Sequence, residues 1–528
     1  MKQHPLRPLV FWPTFLILLA AVVASYLDLS LFLAISKGLN ALILDNLAWL
    51  FCIAALGMVI LALAVYFSPL GQIRIGGERA TPLLSKPRWF MVTLCTTLAV
   101  GVLFWAVAEP LFHLHGPPGD LGIEAESPAA VRFALSTMFM HWTITPYAIY
   151  LVPSLVFALA FHNLRGEFSI GAMLRPLLGA ERVRRYADLI DTLGLFALVA
   201  GIASALGTGA LTLAGGLSQY IGGETTPLRL ALIIAAIVLT FVASAASGLQ
   251  RGIAKLSGLN TWILMALGGF VLLCGPTLTL ISLGIEALGA YLGGFLRQSL
   301  YTGTAGGDPW AREWTVFFWA VWFAWAPVAA LFLGKIARGY RVREFIRINM
   351  LYPALFSMLW MSIFSGSSLY YDAQGGGSLN LVLNQQGVEH VLYAMFRQLP
   401  ASDVVIAFLL FVAFINFVTA ADSNTDAIGN LCSRGVTADS DLDGNPLLKV
   451  AWGLIIGAMA WVMVAFVGLD GVKMLSNLGG LPGMFIVLGA GGTLMLWLRT
   501  PALLADRDAG VAPQARPSST IAKSQAGR

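Results

Sequence analysis

Residues 315–334 read TVFFWAVWFAWAPVAALFLG, an unbroken run without a charged side chain. About 20 apolar residues wound as an α-helix cross the roughly 30 Å hydrocarbon core of a bilayer. The stretch therefore reads as a membrane span over 312–334. Trp319, Trp322 and Trp325 recur every three positions and form one slowly turning stripe on that helix. Tryptophan ordinarily anchors a span at the two membrane interfaces, a role that suits Trp12, Trp89 and Trp497. Trp322 and Trp325 sit instead near mid-span, beside the helix-breaking Pro327.

The same pattern extends over nearly the whole chain. Of 528 residues 58% are hydrophobic and 11% charged, with a mean hydropathy of +0.79, whereas soluble domains carry about 25% charged residues. Apolar segments at about 9–28, 44–67, 89–112, 130–161, 187–212, 228–246, 259–284, 312–334, 349–366, 403–431, 448–468 and 475–498 predict an all-α integral membrane protein with twelve spans. The first segment has no small-residue cleavage site and is expected to stay as a span. Most Lys and Arg fall in alternate loops, from Arg74–Arg88, Arg165–Arg185 and Arg251–Lys255 to Lys335–Arg347. The opposite loop holding Asp120, Glu124 and Glu126 has no basic partner, so both termini are expected in the cytoplasm. The membrane domain is taken as 1–500, and the polar, Pro-punctuated 501–528 as a disordered cytoplasmic tail. Residues 286–307, Gly-rich and too short to span, suit an interfacial helix.

This distribution gives the net charge of +5 a topological meaning, with no nucleic-acid partner implied. Cys52, Cys95, Cys274 and Cys432 show no metal-ligand spacing and read as small buried hydrophobes. Asp439–Gly444 imitates the start of a calcium loop, but Val450 stands where the bidentate Glu is required. His113 and His115 lack a third ligand in the neighbouring sequence, so neither a metal nor another cofactor is expected. Glu109, Asp191 and Asp422 are intramembrane carboxylates, which are functional or paired by default; for Glu109, beside Pro110, helix-end packing competes with a functional role. No nucleophile–base pair or phosphate loop suggests an enzyme.

Two further clusters accompany the tryptophan stripe. In His141–Tyr150, Trp142, Tyr147 and Tyr150 fall within an arc of about 140° on a helix. Thr419-Ala420-Ala421-Asp422-Ser423 is a polar patch deep in an apolar segment. Aromatic faces around a dry cavity attract a quaternary ammonium by about 2 kcal/mol each, and core packing is the competing explanation for such faces. Spans three and eight also share a motif: Phe104-Trp105-Ala106-Val107 precedes Pro110, and Phe318-Trp319-Ala320-Val321 precedes Pro327. Pro-interrupted segments five spans apart suit the matching first helices of two inverted repeats.

Several of these stretches resemble signatures of the betaine/carnitine/choline transporter family. They are Gly101–Pro110, His141–Tyr150, Ser247–Asn260, Trp314–Pro327 with Arg338–Phe345, and Thr419–Ser423, in the family's order. The resemblance implies two leading helices and a LeuT-like pair of inverted five-helix repeats, spans 3–7 (about 89–284) and 8–12 (about 312–498), assembled as a homotrimer. It also implies a midplane cage of Trp142, Tyr147, Tyr150, Trp322 and Trp325, bordered by Ala99 and Gly101 on span three. Tyr147 stands where the family usually has Trp, and Val321 where many members have another Trp. Two of the family's three span-three glycines are replaced in Thr97–Gly101, and Gly101 is not the acid that would favour a bare cation.

The expected function is secondary transport of a betaine-like solute across the cytoplasmic membrane. The positions that hold sodium in coupled relatives fall on Leu198, Ile202, Val328 and Ala420, with Thr419 alone keeping its hydroxyl. Sodium needs several oxygen ligands, so sodium independence is expected, with Asp191, Asp422 and Thr419 as coupling candidates. The alternatives are a sodium-coupled carrier of a sulfonium compound or amino acid on the same scaffold and, more remotely, a membrane enzyme or sensor. A tail of about 30 residues is short for a sensor's output domain.

Overall fold

Lipid offers no hydrogen bonds, so a chain crossing it must pair its backbone within helices or a closed barrel. The computed structural model describes residues 5–98, 101–247, 250–433 and 446–505, and among them the protein is helical with only two isolated β-bridges. Helices α1 (Pro8–Leu27), α2 (Leu29–Phe67), α3 (Lys86–Leu98), α4 (Val102–His115), α5 (Pro128–Trp142), α6 (Ile144–Ala158) and α7 (Gly171–Leu178) come first. Next are α8 (Ala180–Ile221), α9 (Pro227–Ser247), α10 (Gln250–Cys274), α11 (Thr277–Ser299), α12 (Trp310–Glu313), α13 (Thr315–Lys335) and α14 (Val342–Ile346). The chain continues through α15 (Tyr352–Gln374), α16 (Ser378–Gln385), α17 (Val388–Phe396), α18 (Ser402–Leu431), α19 (Pro446–Phe466), α20 (Leu469–Arg499) and α21 (Ala502–Ala505). Ten helices or helix pairs among the described residues are long and apolar enough to cross a membrane, and Pro227–Ala243 and Trp262–Cys274 are shorter apolar segments. Ala99, Asp439–Gly444 and the tail from 506, like the Asp422 side chain, lie outside the described residues.

Several expectations are corrected. The third segment is not one helix: α4 begins after Gly101, whose φ of +80° is left-handed and therefore suits glycine. The fourth is also broken, at Thr143 (φ −122°, ψ −111°), between α5 and α6. The seventh ends at Cys274, where Gly275-Pro276 turns the chain, so the helix placed at 286–307 starts instead at Thr277. Cys274 is exposed, although Cys52 and Cys432 are buried as expected.

Burial separates outer helices from inner ones. The apolar windows of α1 and α11 are only 28% buried, against 94% for the α5–α6 segment and 83% for α12–α13. A helix apolar all round belongs in the middle of a bundle. Glycines let α20 approach α13 closely. A Cβ on Gly480 would lie 2.5 Å from the Ala320 Cα, and one on Gly483 would lie 2.1 Å from the Phe323 carbonyl oxygen. Pro327 has no N–H to offer that carbonyl, so backbone crowds in where a helical hydrogen bond is missing. Pro110 leaves the Ala106 carbonyl in the same position, and Ser365 of α15 donates to it at 2.7 Å.

The loops segregate into two ends. At one, Arg74 donates to the Gly339 carbonyl, Arg341 to Gln72, and Asn163 to the Arg74 carbonyl, interlocking three basic loops. At the other, Asp308 accepts from the Gly119 amide and Arg312 pairs with Asp45. Asp191 lies at the basic end, fully buried. It pairs with Arg7 at 2.7 Å and accepts the Ile170 amide, while Arg7 also reaches Asp188 and the Leu431 carbonyl.

Replacing Arg7 with Ala strands the Asp191 carboxylate, a loss expected to cost about 3–5 kcal/mol. The thermal midpoint of detergent-purified Arg7→Ala should fall clearly, and adding Asp191→Asn should recover part of the loss. An unchanged midpoint in the single variant would show that the ion pair does not hold this end together.

Candidate functional site

The break at Thr143 builds the site. The last carbonyls of a helix lack intrahelical donors, and here side chains supply two of them. Thr143 Oγ1 donates to the Phe139 carbonyl, and the indole of Trp322, from α13, donates to the His141 carbonyl at 3.0 Å. Trp322 is thereby fixed between two other rings. It meets Trp142 edge to face at 5.5 Å and Tyr150 at 5.3 Å, and all three rings are almost fully buried.

The other residues singled out from sequence border this trio in different ways. Tyr147 is buried and directs its hydroxyl to Ser357 of α15 at 3.0 Å. Trp325, one turn beyond Trp322, lies against Gly201 of α8, where an added Cβ would come within 3.1 Å of its Nε1. It also lines a small apolar cavity shared with Ile202, Phe417 and Ala420. Gly101 borders Trp105, whose ring contacts Phe318, and Phe318 in turn contacts Trp142. Thr419 turns its hydroxyl back to the Ile415 carbonyl. Asp191 lies ten residues before Gly201 on α8, about 15 Å along the helix, and is tied to Arg7.

Sequence reasoning named Glu109 but did not place it beneath the trio. Glu109, on α4, is fully buried. Its Oε2 accepts the Trp142 indole N–H at 2.8 Å. Its Oε1 lies 2.7 Å from Nδ1 of His141 and 3.2 Å from Nε2 of His113. Nε2 of His141 meets the Thr315 hydroxyl at 3.1 Å, and its ring stacks on Phe318 at 4.7 Å. The available signals were an intramembrane Glu with a His four residues on, one helical turn away. The missing third partner was His141, on another helix and invisible to local spacing. Both Glu109 oxygens are engaged within the protein. Lys473 of α20 stands nearby with Nζ 3.8 Å from the centre of the Trp314 ring, itself 4.9 Å from His113.

The profile of the betaine/carnitine/choline family transporters matches residues 9–502. The chain is 30% identical to a glycine betaine transporter of Bacillus subtilis over 91% of this chain and 92% of that protein. It is 31% identical to glycine betaine transporter 1 of Vibrio parahaemolyticus over 88% of each. An ectoine/hydroxyectoine transporter of Virgibacillus pantothenticus is 28% identical over 91% of this chain and 94% of its own length. The protein is therefore a membrane transporter and not an enzyme. A match over nearly the whole chain, on a bundle of membrane-spanning helices, makes it a member of the betaine/carnitine/choline transporter family.

Proposed function

We propose that this chain is a secondary transporter of a quaternary-ammonium or betaine-like zwitterion, held by the Trp142–Trp322–Tyr150 trio and moved by alternating access. The observation that carries this reading is the convergence of three buried aromatic rings at a helix break. A trimethylammonium group has no N–H donors, so ring faces suit it without polar acceptors. A solute entering between the rings exchanges an edge-to-face contact of about 0.5–1.5 kcal/mol for cation–π contacts of about 2 kcal/mol. Tyr147 and Trp325 extend the cage when the rings part. The glycine betaine and ectoine relatives support a small zwitterion as the solute class.

The proposal also includes twelve spans, two inverted five-helix repeats, cytoplasmic termini and, from the family resemblance, a homotrimer. Segregation of the basic loops to one end supports this orientation. Transport is proposed to be independent of sodium, because Leu198, Ile202 and Val328 are buried apolar residues where an ion would need oxygen ligands.

Four measurements test this reading. Proteoliposomes should take up a member of a labelled panel of glycine betaine, choline, carnitine and ectoine. Trp322→Ala should weaken binding about thirtyfold, the equivalent of about 2 kcal/mol, while the protein stays folded; unchanged affinity removes the cage.

A sodium gradient without a pH gradient should drive little accumulation. Strong sodium-driven uptake overturns sodium independence and leaves the cage standing.

Reporter fusions after Arg88, Arg185 and Arg347 should report the cytoplasm, and those near Asp120 and Asp372 the outside. A consistent reversal at any of these positions contradicts the topology.

A further inference from the structure

We propose that His141, with Glu109 and His113, forms a proton-holding site whose occupancy weakens cation binding in the adjoining cage; this rests on the cage reading above. The geometry selects His141 as the residue that gains the proton. Nδ1 faces the Glu109 carboxylate and Nε2 faces the Thr315 hydroxyl, so an imidazolium there has an acceptor at both nitrogens. His113 does not offer this, because its Nδ1 is buried without a hydrogen-bond partner among the described residues. His141 is fully buried, and it borders a cavity of about 160 Å³ lined also by Thr315, Thr137, Tyr301, Arg297 and Gln298, which is the proposed path for water. A proton from that water binds Nε2, and the new N–H donates to Thr315 Oγ1.

Two contacts carry this change to the cage. The backbone carbonyl of His141 holds the Trp322 indole, and Glu109, hydrogen-bonded to the His141 ring, holds the Trp142 indole. One titratable pair therefore positions two of the three rings. An imidazolium there places a positive charge one residue from Trp142, and it opposes an ammonium group between the rings. Linkage is reciprocal, so a bound ammonium also disfavours the proton. The sign follows directly: affinity for the cationic head falls as pH falls through the titration of the cluster and is steady above it.

The surrounding charges do not substitute for this pair. On α20, Lys473 lies over Trp314, with Asp470, Glu313 of α12 and Glu109 itself as its acidic neighbours, so it adds a fixed charge beside the pair. Arg297 of α11 faces the cavity. On α15, Asp372 is held by His115 at 2.7 Å, and on α17 Glu389 and His390 lie 3.9 Å from each other.

The test measures binding of labelled glycine betaine to the purified full-length protein across pH. From about pH 8.5 to about pH 5.5, wild-type affinity should fall about fivefold or more, the lower end of ordinary coupling between sites. His141→Gln should flatten this to within about twofold, and Glu109→Gln should lower affinity at every pH. An unaltered pH slope in His141→Gln overturns the proposal. A ligand-free readout covers misfolding of a variant or failure of the probe to bind. The protein has six histidines, and isotope labelling of their rings should show a resonance titrating in wild type that follows pH differently in Trp142→Phe. A His141 ring that holds one protonation state throughout also overturns it. If wild type binds no glycine betaine at any pH, the cage reading has failed for that solute, and the ring titration alone decides the proton site.

Discussion

A backbone in hydrocarbon must satisfy its own hydrogen bonds, and this constraint decides where the protein can be irregular. Breaks occur at Gly101 and Thr143, and proline removes a donor at Pro110 and Pro327. Pro110, Thr143 and Pro327 are buried in protein. Ser365 supplies the donor for Ala106, Thr143 for Phe139 and Trp322 for His141. The side chains that repair the backbone are those that shape the interior, so site and structural repair are the same set of contacts.

Helix α13 joins these repairs. Its stripe of tryptophans points toward α5, α6 and α8, while its opposite side takes the glycines of α20 at backbone distance. Close approach on one side leaves little freedom on the other. The position of Trp322 is therefore fixed twice, by packing of its own helix and by the His141 carbonyl.

The helical membrane fold was legible in the chain because hydrophobic length is a one-dimensional signal. Segments such as 312–334 and 130–161 announce themselves without knowledge of their neighbours. Their breaks were less legible. Gly101 and Thr143 interrupt apolar runs that hydropathy reads as continuous, and the Gly275-Pro276 turn was overrun for the same reason. Trp142, Tyr150 and Trp322 were named from spacing and resemblance, and they meet in space. Glu109 was noticed but not placed, because its meaning depends on His141 from another helix and on Thr315 from a third. Asp191 shows the converse. A buried acid looked available for coupling until Arg7, distant in sequence, proved to be its partner.

The Arg7 contacts have a mechanical side. The chain before α1 runs antiparallel to the end of α18, with Leu6 bridging Ser433 and the Arg7 amide donating to the Cys432 carbonyl at 2.7 Å. The same residue grips α8 through Asp188 and Asp191. One guanidinium thus fastens the beginning of the bundle to two helices far apart in sequence. Any movement that parts α8 from α18 at this end must first undo that clasp, whereas movement at the far end leaves it closed. While it holds, the start of α1, α8 and the end of α18 move as one piece at this end.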